Sequence, residues 1–61
     1  MKKSPDFTYE QFLAMLDEAK DSKTIVAVVI TAMGQRARKK LSDTLLGALM
    51  VEAGNRLYAI A

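Results

Sequence analysis

The chain has 61 residues, 51% of them hydrophobic, with nine Lys or Arg against seven Asp or Glu and a net charge of +2. It contains neither Cys nor His, which excludes disulfides, thiol nucleophiles, histidine bases and zinc sites of the usual kind. A chain this short is close to the lower size at which one core suffices. With no covalent or metal staple, association with another chain is the expected stabiliser.

Residues 1–61 read as one small domain, with 1–6 (MKKSPD) as a flexible N-terminal arm. The start MKK runs into a polar, acidic stretch, which is not the pattern of a secretory signal. A strong helix start follows. Thr8 and Gln11 stand at the N-cap and N3 positions of a capping box, and Phe7 and Phe12 at the N′ and N4 positions of a hydrophobic staple. The predicted first helix runs from Tyr9 to about Lys20, with Phe12, Leu13, Leu16 and Ala19 inward and Met15 at the margin. Asp17, Glu18 and Asp21 fall on its outer side. Asp17 and Asp21, four residues apart, have no base or metal-loop pattern beside them, so a solvated face is the reading.

Asp21-Ser22-Lys23 breaks the pattern before TIVAVVITAM. The β-branched content of that run suits a strand, and its lack of alternation would mean a strand buried on both faces, which so small a chain has little material to cover. Read as a helix from about 24 to 39, capped by Ser22, it has a polar stripe at Thr24, Ala27, Thr31, Gln35 and Arg38. Ile25, Val26, Val28, Val29, Ile30 and Met33 then fill the remaining, mostly buried surface, and Gly34 is a weak point or kink. The alternative is a βαβ-like unit with strands near 24–31 and 56–60.

Ser42 to Ala61 carries the clearest helical signal. Leu45, Leu46, Leu49, Met50, Leu57 and Ile60 recur at the spacing of one broad face. Ser42 caps the start, Asp43 suits the positive end of the dipole, and Leu41 with Leu46 forms a second staple. Gly47 and Gly54 lie on nearly the same face, where with Ala48 and Ala61 they permit close approach of another helix. The competing reading ends the helix at Gly54-Asn55, but Leu57 and Ile60 keep the period beyond it. The expected fold class is therefore all-α, a small bundle of about three helices.

Charge is unevenly distributed: residues 5–22 carry five acids and one lysine, and residues 23–40 carry five bases and no acid. Arg36, Arg38, Lys39 and Lys40 form a basic cluster that suits a helix C-terminus or could contact phosphates. No aromatic residue interleaves with them in the sequence to stack on bases. Gly34, Gly47 and Gly54 fit no phosphate-loop pattern, and Ser4, Ser22 and Ser42 are explained as arm and cap residues. The longest uncharged apolar run, Thr24 to Met33, is about half the ~20 residues needed to span a bilayer.

These features point away from catalysis, cofactors, metals, small-molecule substrates and membrane spans. They point toward a cytoplasmic interaction module that regulates or inhibits a macromolecular partner, a protein rather than nucleic acid, as a homodimer or larger homo-oligomer. Such small proteins are frequent among phage-encoded inhibitors and antitoxins, an association of type and not a property of these residues. Leu46, Met50, Gly54 and Leu57 are the expected self-association residues, with Tyr9 and Tyr58 as further anchors. Arg36, Arg38, Lys39 and Lys40 are the expected partner-binding residues, and an alternative reading makes the same four the contact surface of a nucleic-acid-binding regulator.

Overall fold

The structure is a computed structural model that describes residues 6–60. Three helices follow in order: α1 (Tyr9–Glu18), α2 (Ser22–Ala37) and α3 (Asp43–Ile60). The short connections between them favour antiparallel neighbours. All three pairs pack, the α2–α3 seam being the most extensive. No strand forms among the described residues, so the βαβ alternative falls away. The expected arm lies outside the described residues except for Asp6.

Local signals set the helix starts. The Thr8 hydroxyl accepts from the Gln11 N–H at 3.1 Å, and the Gln11 side chain accepts from the Thr8 N–H at 2.8 Å. The Phe7 and Phe12 rings meet edge to face at 5.5 Å between centroids, so capping box and staple both form. At α2 the cap is Asp21 rather than Ser22: its carboxylate accepts from the Thr24 N–H at 2.9 Å. That bond, first among the causes, holds the Asp21 carboxyl below its usual range. Ser22 is already helical, so the boundary moves back two residues. Ser42 Oγ accepts from the Leu45 N–H at 3.1 Å. α3 then runs unbroken through Gly54 to Ile60, as the periodicity beyond that glycine requires.

α2 also passes through Gly34 without a break and ends at Ala37. The Lys39 N–H donates to the Arg36 carbonyl at 2.8 Å and the Lys40 N–H to the Gln35 carbonyl at 3.0 Å. This is the double bond pattern of a Schellman motif, which requires a left-handed residue at the position held here by Lys39, whose φ is 64°.

The core consists of Phe12 and Leu16 from α1, Ile25, Val28 and Ala32 from α2, Leu41 from the turn, and Leu49 and Ala53 from α3. Leu13, Met15, Ala19, Val29, Leu46 and Leu57 pack partly buried around it. Two expectations about α2 are corrected. Gln35, placed on the polar stripe, is buried, whereas Val26, Ile30 and Met33, placed in the core, are 44%, 61% and 49% exposed. α2 contributes only the arc through Ile25, Val28, Ala32 and Gln35 to the core. Among the described residues, nothing covers Val26, Ile30 and Met33 on the rest of its apolar circumference.

Candidate functional site

Two surfaces stand out. The first is an apolar face shared by α2 and α3. On α2, Val26, Ile30 and Met33 follow i, i+4, i+7, one stripe of a helix. On α3, Gly47, Val51, Gly54 and Tyr58 make a second stripe, at i, i+4, i+7, i+11, and Met50 and Leu57 lie between it and the core. The stripes meet at an open groove of about 220 Å³ lined by Val26, Val29, Met50, Ala53, Gly54 and Leu57.

Met50 is half exposed, Val51 is 64% exposed and Tyr58 protrudes almost fully. A Cβ added at Gly47 or Gly54 would meet nothing within 4 Å, so both glycines open onto free space. α2 carries no charge between Lys23 and Arg36, and the one charge of α3 between Asp43 and Arg56, Glu52, is turned away to Arg56 at 2.8 Å. Arg56 also pairs with Asp17 of α1; its hydrogen bond to Asp17, then that to Glu52, raises its pKa further. The charges of this part of α3 thus face α1, and the apolar face is left without any.

Of the expected self-association residues, Met50 and Gly54 are exposed on this face, while Leu46 and Leu57 are partly buried and also support the core. The sequence reading missed Val26, Val29, Ile30 and Met33 as part of the surface. The signal was present: a helix of a three-helix bundle turns only one arc inward, so a helix apolar on all sides must expose the remainder.

The second surface is the end of the bundle where α2 stops and α1 and α3 start. An open hollow of about 920 Å³ lies there, and Tyr9, Arg36, Lys39, Lys40, Ser42 and Asp43 are among its lining residues. All four expected cations are exposed here, but they are not equivalent. The Arg36 guanidinium pairs with Asp43, and this hydrogen bond and charge hold the Asp43 carboxyl below its usual range. Arg38 Nη2 donates to Asp6 at 3.2 Å. Lys39 and Lys40 make no ion pair among the described residues. Tyr9 lines the same hollow as Lys39 and Lys40, an aromatic residue that the linear sequence hides because it lies some thirty positions upstream.

Gln35 fixes this end. Its Oε1 accepts from the Phe7 N–H at 2.9 Å, and its Nε2 donates to the carbonyls of Phe7 at 2.7 Å and Lys40 at 3.2 Å. A single buried amide thus ties the entry to α1, the end of α2 and the following turn together. Among the described residues no buried side-chain polar atom lacks a partner, and no group of three or more acidic side chains is placed to hold a metal ion. No helix is long and apolar enough to cross a membrane among those residues. Compared with family models, curated proteins and solved structures, the chain matches none of them.

Proposed function

We propose that this chain is a non-catalytic interaction module that buries the α2/α3 face against another folded protein and, so assembled, regulates or inhibits a macromolecular partner. The supporting observation is the apolar, charge-free face itself. Isolated exposed apolar residues are normal, whereas a contiguous patch marks a contact surface. The basic end and the acidic outer side of α1 contribute electrostatic selection, which acts on partner choice and association rate more than on affinity.

The test is a hydrophobic-dye titration of the wild-type chain and of an Ile30→Lys/Met50→Lys variant, alongside their masses in solution. An open or self-covered face predicts dye binding or association in the wild type and neither in the variant. A wild-type chain that neither binds dye nor associates would remove the basis for this reading.

A second reading, a nucleic-acid-binding regulator, is favoured by Lys39 and Lys40, which make no ion pair among the described residues and line one hollow with Tyr9. Phosphates would have to compete with Asp43 and Asp6 for Arg36 and Arg38. Fluorescence anisotropy with mixed DNA and RNA oligonucleotides at about 50 and 200 mM salt decides it, because phosphate contacts weaken steeply over that range. Micromolar binding that collapses with salt would establish the basic end as the working surface, and no binding at low salt would eliminate this reading.

A further inference from the structure

We infer that the α2/α3 face is covered by a second copy of this chain, packed through a two-fold axis so that Met50 of one copy enters the notch at Gly54 of the other. The inference rests on the reading of this face as an interaction surface and names its occupant.

Three observations select a second copy. The first is area. Val26, Ile30, Met33, Met50 and Val51 are 44% to 64% exposed and together leave open a patch on the order of 500 Å², the upper end of what a monomer ordinarily shows. Tyr58 and the two glycines bring the face near the ~800 Å² that each partner of a standard interface contributes. For a chain whose whole surface is 4494 Å², that is a large share to leave wet.

The second is charge. A two-fold contact sets the patch against the same patch of its copy, so a net charge on it would be repelled by the same charge across the contact. This face carries none.

The third is the pair of glycines. Each costs helix stability relative to alanine, and both are helical, with no positive-φ glycine in the described chain. Within the protomer an alanine would fit at either position. The space has a use only when something from outside fills it. Glycines one turn to either side of Met50 provide a protruding side chain and matching hollows on the same helix, which is the requirement for self-complementarity. The acidic side of α1 stays outside this contact.

The experiment is sedimentation equilibrium of the full chain from about 1 µM to 1 mM, a range that brackets a dissociation constant of ordinary strength. It is run with the Met50→Lys and Gly54→Ala variants, and with dye binding and helical circular dichroism recorded in parallel. The expected result is a mass rising from 6.7 kDa to twice that value. Met50→Lys stays monomeric and helical. Gly54→Ala gives opposite signs in two readouts: a higher melting temperature at monomeric concentrations, and a dissociation constant raised at least about tenfold because the notch is filled. Since alanine can only favour the helix, misfolding cannot imitate that pair of results.

A wild-type chain that is monomeric throughout but binds dye through this face overturns the second copy and leaves the interaction surface standing. A monomer that binds no dye overturns both. A dimer that survives Met50→Lys places the contact elsewhere and overturns the inference.

Discussion

Replacing Gln35 by leucine tests the feature that holds the basic end together. The substitution keeps the approximate volume of a side chain that is 1% exposed and deletes its bonds to the Phe7 N–H, the Phe7 carbonyl and the Lys40 carbonyl. A net bond contributes about 1 kcal/mol, and a buried group left without a partner costs more than that. Three bonds at the net value make about 3 kcal/mol. Phe7 is only partly buried and Lys40 is exposed, so water recovers part of the loss and about 2 kcal/mol is expected. For a chain of this size that lowers the melting temperature by roughly 8–16 °C.

The assay is thermal melting by circular dichroism at fixed protein concentration, with hydrogen exchange at the Phe7 amide as the local readout. Gln35→Glu sharpens it. A carboxylate keeps the acceptor but faces two carbonyl oxygens, so its folded pKa is raised above the unfolded value. Its stability is then full below the unfolded pKa and lost as pH rises through the folded one, and this variant melts closer to wild type in acid than at neutral pH. If Gln35→Leu melted within about 2 °C of wild type, the amide would not be what ties α1 to the α2–α3 turn.

Two further expectations concern the helix ends. Lys39 occupies a left-handed position at a cost of about 1–2 kcal/mol, and glycine there gives back only about 0.5–1 kcal/mol as lost chain entropy. Lys39→Gly should therefore raise the melting temperature, while lowering any affinity for polyanions, and a lower melting temperature would contradict the Schellman geometry. Asp21→Ala should lower the melting temperature and fray α2 first, seen as faster exchange at the Thr24 amide. The Asp21 carboxyl is depressed in the folded state by the Thr24 N–H, so its contribution is present above the unfolded pKa and lost as pH falls through the folded one. Wild type should thus lose stability in acid more steeply than Asp21→Ala, and parallel pH profiles would refute this.

The helix starts were legible because their determinants are local. Thr8 with Gln11, Phe7 with Phe12, and Ser42 before Asp43 lie within one turn of each other, so spacing alone brings them into contact. Position 21 was harder, since Asp21 and Ser22 are both good caps and only the backbone decides between them. The orientation of α2 was not legible. With apolar side chains on every side of TIVAVVITAM, periodicity could not say which arc faces the core. The answer came from α1 and α3, which draw in Ile25, Val28, Ala32 and Gln35. The same limit hid the ion pairs of Arg36 with Asp43, Arg38 with Asp6 and Arg56 with Asp17, and the hollow that Tyr9 shares with Lys39 and Lys40. Each is fixed by how the helices pack. For the candidate interface, Met50 and Gly54 were legible on α3, and the α2 half followed only once the core was assigned.

The most direct test of the α2/α3 face as an interaction surface is an isotope-filtered nuclear Overhauser experiment on an equal mixture of labelled and unlabelled chain at millimolar concentration. The account predicts intermolecular contacts from the Met50 methyl group to Gly54 and to Ile30 or Val26 of the other copy, and none to Glu10 or Glu18 on the acidic side of α1. Intermolecular contacts confined to α1 or to the turn at Lys39 and Lys40, with Met50 silent, would contradict it.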